Sequence, residues 1–144
     1  MSNKKMTEDF VKNSVIKWLS RNGWGHFEFD ELHTHGVDIR ARNVRYSRYF
    51  FIEAKGESIN RSGLEVAFIY SLGQIITRMK DSGLTRNYYG LALPANSAKI
   101  ALRRISWQVA KKLLLYIFSV SADGKVIQYS WREIKDRQTI SAGS

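Results

Sequence analysis

Apolar positions in the first half of the chain recur at helical spacing and then at strand spacing. Residues 6–22 carry an apolar stripe of helical period, and Asn22-Gly23 is typical of a helix stop. Beyond this stop, strand-like alternation or apolar runs occupy Trp24–Phe29, residues 37–43 and Tyr49–Ile52. The pattern therefore predicts one helix followed by three strands, the last two of which pair as a hairpin.

The second half of the chain continues this alternation of helices and strands. Ser62-Gly63-Leu64-Glu65 resembles a capping box and predicts a helix from there to about Asp81, with Ile76 on its apolar face. A second long helix over residues 96–111 is expected to turn Val109 inward. The remaining predicted elements are strands over Tyr88–Leu93, Leu113–Val120 and Lys125–Trp131, the last two joined as a hairpin at Asp123-Gly124.

The composition is that of one folded domain. The chain has 144 residues, of which 44% are hydrophobic and 12% aromatic, enough for a single core within residues 1–144. No apolar run has the length that crosses a membrane, and the polar N-terminus lacks the apolar core of a signal peptide. The absence of cysteine excludes disulfides and thiolate metal sites and fits the cytoplasmic localisation that we expect.

The charge balance indicates an anionic partner. The chain has 23 Lys and Arg against 13 Asp and Glu, which gives a net charge of +10. Such a charge attracts polyanions and speeds encounter with them. An anionic membrane surface would also be attracted, but no segment combines the Lys-rich and Trp-rich faces of a membrane-binding helix. The charge alone does not identify the partner; together with the carboxylate pair described next, it makes nucleic acid the expected partner, and a membrane is not expected.

Three charged residues on neighbouring predicted strands form the most informative group in the sequence. Asp38 opens the second strand, and Glu53 and Lys55 close the third on either side of Ala54. Because side chains alternate along a strand, Glu53 and Lys55 point to one face and Ala54 to the other. If the two strands pair, Asp38 joins that face. Two carboxylates and an ammonium are then expected at the end of a buried sheet, where such groups need a partner or a function.

Carboxylates in this arrangement suit Mg²⁺, which prefers oxygen ligands. Asp38 and Glu53 would bind the ion, the carbonyl of Ala54 would add a neutral oxygen, and Mn²⁺ is expected to substitute. Lys55 would orient a metal-bound water or stabilise charge in the transition state. The same acid–x–lysine spacing also arises on solvated strand edges, and we interpret Glu133-Ile134-Lys135 near the C-terminus as such a surface triplet.

At these residues the sequence resembles the PD-(D/E)XK nuclease superfamily, the fold of many restriction endonucleases and of archaeal Holliday junction resolvases. Gly36-Val37-Asp38 matches the first half of its motif, with valine in place of proline, and Glu53-Ala54-Lys55 matches the second. The resemblance covers residues 6–93 and implies that Glu8 joins the site and that Gln74 assists. Each also has a structural interpretation: an acid at a helix start compensates the helix dipole, and the stripe that holds Gln74 fits a solvated face.

Basic residues around these motifs are candidate nucleic-acid contacts. Arginine binds phosphate bidentately, and four arginines with interleaved tyrosines surround the turn between the second and third strands. A basic hairpin tip is also common at a soluble sheet edge. His33 and His35 lack the further ligands of a zinc site, and His35 is expected near a phosphate instead. The candidate contacts are Arg40, Arg42, Arg45, Arg48, Arg78 and His35.

The combined prediction is an α/β, restriction endonuclease-like fold whose mixed central sheet is flanked by helices in an αβββαβ core. The expected activity is Mg²⁺-dependent endonucleolytic hydrolysis of DNA phosphodiester bonds, and the resemblance supplies the preference for DNA. Small nucleases of this kind commonly work as dimers because two strands need two sites, so a homodimer is expected. A Holliday junction resolvase and a non-catalytic nucleic-acid-binding module are the alternatives, and nothing in the residues excludes RNA as the substrate.

Overall fold

The computed structural model describes residues 5–29, 38–57, 61–79 and 86–142. Within these residues helices and strands alternate along the chain, and all the strands belong to a single sheet. The elements are α1 (Glu8–Arg21), β1 (Trp24–Phe29), β2 (Ile39–Asn43), β3 (Arg48–Ala54), α2 (Arg61–Thr77), β4 (Arg86–Pro94), α3 (Ala95–Arg104), α4 (Trp107–Leu113), β5 (Leu115–Val120), β6 (Val126–Tyr129) and α5 (Trp131–Ala142).

The six strands lie in the sheet in their order along the chain. Neighbours within β1–β2–β3 are antiparallel, as are β5 and β6, whereas β4 is parallel to both β3 and β5. Parallel neighbours need crossover connections, which α2 supplies between β3 and β4 and the α3–α4 pair supplies between β4 and β5. The predicted mixed α/β class, with its αβββαβ order from α1 to β4, is confirmed.

Helices cover both faces of this sheet, and each face has its own apolar core. On one face, α1 packs Val11, Val15 and Leu19 against the sheet. The other face is covered by the helices that follow β3, with Phe68 and Ile75 of α2 among its buried residues. Along β3, Phe50 and Ile52 face α1, whereas Phe51 packs on the α2 side. Glu53 shares the face of Phe51 because strand positions alternate.

The prediction of a single helix over residues 96–111 is wrong, because the chain forms two helices there, α3 and α4. Ile105 ends α3 in an extended conformation, with φ −85° and ψ 115°. Ser106 then caps α4, its hydroxyl accepting a hydrogen bond from the N–H of Val109. The break turns Val109 outward, so this residue, predicted to point inward, is 45% exposed.

A side chain from the end of the chain holds this break in place. The amide of Gln138 in α5 donates hydrogen bonds to the carbonyls of Leu102 and Ile105, at 3.1 and 2.7 Å. Its oxygen accepts a hydrogen bond from the N–H of Trp107, at 3.1 Å. Gln138 therefore satisfies backbone groups that the interruption of the helix would leave without partners.

The strand predicted over Lys125–Trp131 ends early, because Trp131 already begins α5. This helix was not predicted from the sequence. It places Ile134 at full burial in the core, so the interpretation of Glu133-Ile134-Lys135 as a surface triplet is wrong for its middle residue. Ser130-Trp131-Arg132-Glu133 has the capping-box pattern that indicates a helix start.

The bounds of α2 differ from the predicted ones at both ends. The helix already includes Arg61 and Ser62, so Ser62 is not its N-cap. It ends at Thr77 rather than near Asp81, and Ile76, predicted to be apolar and inward, is 44% exposed. α2 has 17 residues.

No helix in the described parts of the chain is both long and apolar enough to span a membrane.

Candidate active site

The register of β2 and β3 brings the two predicted metal-binding acids opposite each other. Ile39 pairs with Ile52, so the next position along the ladder sets Asp38 opposite Glu53. The N–H of Ala54 is directed towards Asp38, which makes the pair of positions 38 and 53 a non-hydrogen-bonded one. At such positions the Cα atoms lie about 4.5 Å apart and the side chains lie closest. The two acids are therefore cross-strand neighbours on one face of the sheet.

Both acids are buried. Asp38 is 4% exposed and Glu53 is 1% exposed, so neither is an ordinary surface carboxylate. One oxygen of Asp38 accepts a hydrogen bond from the N–H of Ala54 at 2.8 Å. This bond ties the start of β2 to the end of β3 and fixes the orientation of the carboxylate.

Arg78, which follows α2, supplies the counter-charge of Glu53. Its guanidinium forms an ion pair with the Glu53 carboxylate, and the arginine side chain is 25% exposed. Arg78 was predicted to contact nucleic acid; in the structure it lies against the Glu53 carboxylate. A buried carboxylate needs such a partner, because removing a charge from water without compensation is strongly unfavourable.

The end of β3 is fastened to the start of α1 at Gly56. A Cβ at Gly56 would lie 2.7 Å from the backbone N of Glu8 and 2.9 Å from the carbonyl O of Met6, so only glycine fits there. The N–H of Glu57 donates to the Met6 carbonyl at 2.7 Å, and the Glu57 carboxylate accepts from the Met6 N–H at 2.9 Å. These contacts set the first turn of α1 beside the last residues of β3.

This junction brings Glu8 to Lys55. The Lys55 ammonium lies 4.0 Å from a carboxylate oxygen of Glu8, and both side chains are partly buried. The backbone N–H of Lys55 donates to the Ala92 carbonyl at 3.1 Å, so the strand-like course of β3 continues through this residue. Lys55 therefore keeps the alternation that sets it on the face of Glu53. Glu8 is therefore the acidic neighbour of this lysine.

A polar stripe of α2 runs along the same side of the site. Tyr70, Gln74 and Arg78 follow at four-residue intervals, and such residues are neighbours on a helix surface. The Tyr70 ring lies 5.2 Å from the Lys55 ammonium, and Arg78 reaches Glu53. Gln74 lies between them, and its buried side-chain oxygen has no hydrogen-bond partner among the described residues. An unsatisfied buried acceptor in this position is available to a ligand.

The arginines of the β2–β3 hairpin divide into two groups. Arg40 is held by the protein: its guanidinium lies 3.1 Å from Glu28 and 4.7 Å above the Tyr49 ring. Arg42 and Arg45 are exposed. Arg48 lies over the Tyr46 ring at 4.9 Å. The four remain candidate nucleic-acid contacts, and His35, like His33, falls outside the described residues.

The described residues supply two adjacent carboxylates rather than a full set of metal ligands. Within ranges 5–29, 38–57, 61–79 and 86–142, no three His, Cys, Asp or Glu side chains are grouped closely enough to hold a metal ion. Glu8 contacts Lys55, and its predicted role as a third carboxylate has no support from a cluster of this kind. A donor set of two carboxylates still matches Mg²⁺, which commonly retains several waters and takes other oxygens from a bound phosphate.

Comparison with solved structures finds a similar fold. The chain is similar to an XisH family protein from Nostoc punctiforme PCC 73102, with a TM-score of 0.53 and 16% sequence identity, over 85% of this chain and 99% of that one. The likeness is one of fold alone. It agrees with the restriction endonuclease-like arrangement predicted from the sequence. No protein-family model matches the sequence, and no curated protein does.

Proposed function

We propose that this protein is a Mg²⁺-dependent nuclease of the PD-(D/E)XK type that hydrolyses DNA phosphodiester bonds. The observation that carries the proposal is the juxtaposition of two buried acids, Asp38 immediately before β2 and Glu53 in the adjacent β3, with Lys55 following on the face of Glu53. Buried charges that are costly to desolvate are often retained for chemistry. The net charge of +10 favours a polyanionic substrate.

Two carboxylates suit a hard cation, and Asp38 and Glu53 would hold it together with the Ala54 carbonyl. The N–H of Ala54 points towards Asp38, and in an extended strand the carbonyl of the same residue points to the same side. When bound, Mg²⁺ or Mn²⁺ supplies Lewis-acid activation of water and stabilisation of developing negative charge. The ion pair between Glu53 and Arg78 neutralises this carboxylate until a cation takes over that role.

The remaining side chains of the site position groups and compensate charge. Lys55 would donate hydrogen bonds to an attacking water or to a phosphoryl oxygen, and Glu8 restrains its ammonium. Gln74 would use its unpartnered side-chain oxygen to accept a hydrogen bond from the attacking water. The exposed Arg42 and Arg45 would contact the DNA backbone beside the cleaved bond.

Incubation of supercoiled plasmid with the protein and Mg²⁺ tests the proposal. We expect nicking or linearisation that a chelator abolishes. Asp38→Asn keeps an acceptor for the Ala54 N–H and Lys55→Ala removes the ammonium, and each should lower the rate by about 10²–10³-fold. Asp9→Asn and Lys135→Ala alter exposed residues of the same types elsewhere and should cut normally.

Two outcomes would contradict the proposal in different ways. Equal cutting by wild type, Asp38→Asn and Lys55→Ala would mean that another site is responsible. Binding of DNA without cleavage of duplex, four-way junction, single-stranded DNA or RNA would favour the nucleic-acid-binding module. Preferential cleavage of a four-way junction over a linear duplex of the same sequence would identify a Holliday junction resolvase instead of a general endonuclease.

A further inference from the structure

The outer face of α2 is apolar where a solvent-facing helix is normally polar. Val66 is 67% exposed, Ile69 is 50% exposed and Ile76 is 44% exposed. A helix with so little polar surface is usually buried, and contiguous exposed apolar side chains mark interaction sites. This outer face of α2 consists of Glu65, Val66, Ile69, Tyr70, Gly73, Ile76 and Thr77, all exposed and only one of them charged.

We propose that two copies of the chain associate through the outer face of α2. The spacing of Val66, Ile69, Gly73 and Ile76 is three, four and three residues, which reads the same in both directions. An antiparallel pair of α2 helices centred on position 71 therefore sets Ile69 against Gly73 of the partner subunit. The same pairing sets Val66 against Ile76 of the partner subunit. Such self-complementarity is what a two-fold symmetric interface requires.

The shape of the face fits this pairing of large residues against small ones. A Cβ added at Gly73 would meet no atom within 4 Å, so the helix backbone is open to close approach there. The N-terminal part of the same face lines a shallow cavity of about 380 Å³, through Glu65, Val66, Ile69 and Tyr70 together with Arg104. Ile69 of one copy can therefore enter the depression at the glycine of the other, as ridges enter grooves in helix packing.

Charge favours a second copy over a nucleic acid at this face. Glu65 within the face and Arg104 of α3 beside it line the same cavity and are opposite in sign. The surface there thus has no excess positive charge, in a chain of net charge +10. Two copies can meet here without the like-charge repulsion that opposes contact between basic surfaces. A polyanion, by contrast, would gain little from a surface without excess positive charge.

The face also borders the candidate active site. Tyr70 belongs to it, and the same ring lies 5.2 Å from the Lys55 ammonium. Association would set each candidate site next to the interface. The inference rests on the exposure and spacing of α2 and holds whether or not the protein cleaves DNA.

Sedimentation over a concentration series tests the association directly. We expect a monomer–dimer equilibrium that Ile69→Lys weakens at least about 10-fold, because the substitution sets two buried ammonium groups in the two-fold interface. Val109→Lys introduces the same charge at a helix position of similar exposure and should leave the equilibrium unchanged. A monomer at every concentration, or a dimer that responds equally to both variants, would overturn the proposal.

Cross-linking tests the antiparallel register without disrupting the interface. The chain contains no cysteine, so Ile69→Cys and Gly73→Cys proteins each carry one thiol. Their equimolar mixture should form a disulfide-linked pair faster than either protein alone, because like positions are offset by about 6 Å along the paired axes. Mixing Ile69→Cys with Val109→Cys is the control. Equal rates in all mixtures would overturn the antiparallel pairing, while plasmid cleavage tests the proposed nuclease activity separately.

Discussion

Two triplets in this protein have the same acid–x–lysine spacing but lie in different secondary structures. Glu53-Ala54-Lys55 closes a strand, whereas Glu133-Ile134-Lys135 lies in the first turns of α5. In a strand the first and third residues share a face, and Glu53 is 1% exposed. In a helix each step turns about 100°, and here the middle residue, Ile134, is fully buried while its charged neighbours are exposed. The backbone, rather than the spacing, decides which residues can act together.

The partners of the two triplets differ in the same way. Glu53 pairs with Arg78 from a distant part of the chain, and Lys55 lies near Glu8. Glu133 instead accepts a hydrogen bond from the N–H of Ser130, three residues before it, at 3.2 Å. Its contact is that of a capping box, which stabilises the start of α5. The first triplet is thus connected across the fold, and the acid of the second serves its own helix.

The largest difference between the two triplets is expected in the rate of DNA cleavage. Glu53→Gln removes a carboxylate of the proposed cation site and should lower the rate of Mg²⁺-dependent plasmid cleavage by about 10²–10³-fold. Glu133→Gln is the matched substitution in the second triplet, and glutamine retains the capping function at this position. The rates should be compared under single-turnover conditions. Equal loss in the two variants would show that the acid of the first triplet has no special role.

The next largest effect is expected in the free energy of unfolding, when Ile134, the middle residue of the second triplet, is truncated. Ile134 is fully buried, so Ile134→Ala should lower the free energy of unfolding by about 2–5 kcal/mol through lost burial and a cavity. Ile140→Ala in the same helix changes a side chain that is 73% exposed, and its effect should stay within about 0.5 kcal/mol. Urea denaturation measures both. Similar values for the two variants would contradict the burial of Ile134.

The sequence predicted the region around the first triplet better than the region around the second, for a physical reason. From α1 to β3 the apolar periodicity and local stop signals agree, so the elements and the pairing of Asp38 with Glu53 follow from nearby residues. Around α3 to α5 the structure depends on Gln138, which contacts Leu102 and Ile105 more than thirty positions earlier. The spacing of apolar residues along the sequence gives no information about a contact between residues so far apart. The capping box at Ser130 was nevertheless a local signal for α5.

Within the site, the strand pairing follows from the sequence pattern, whereas the counter-charges do not. Strand alternation sets Glu53 and Lys55 on one face because it is a property of the backbone, and their joint role in catalysis stays a prediction. The partner of Glu53 depends on where α2 ends, and that end lies at Thr77 rather than near Asp81. Arg78 was predicted as a nucleic-acid contact, and in the structure it pairs with a buried carboxylate. The contact of Tyr70 with Lys55 is likewise seen only in the structure.

A smaller effect is expected when the counter-charge of the first triplet is removed. Arg78→Ala leaves the buried Glu53 carboxylate without its cation and should lower the free energy of unfolding by about 2 kcal/mol, since the arginine is partly exposed. Mg²⁺ should raise the melting temperature of this variant more than that of wild type if Glu53 binds the ion. Arg132→Ala, which removes an exposed cation beside Trp131, is the control and should show no added response to Mg²⁺. The same Mg²⁺ response in all three proteins would argue against Glu53 as a ligand.

The smallest effect lies in the electrostatic influence of the second triplet. Burial raises the pKa of the Tyr116 hydroxyl, and the negative charge of Glu133 acts in the same direction. Glu133→Gln should therefore lower the pKa of Tyr116 while leaving it above its ordinary value, because burial is the larger cause. Phenolate absorbance during a pH titration, with Tyr116→Phe to assign the signal, measures the shift, and Asp136→Asn is the control.

The sign of the accompanying stability change follows from the raised pKa. The folded state favours neutral Tyr116, so this group contributes stability at pH values below about 10, the pKa of an unfolded tyrosine. That contribution is lost as the pH rises through the folded-state pKa, and it should be smaller in Glu133→Gln. An unchanged or raised pKa of Tyr116 in Glu133→Gln would mean that Glu133 does not act on Tyr116, which would limit the influence of the second triplet to its own helix.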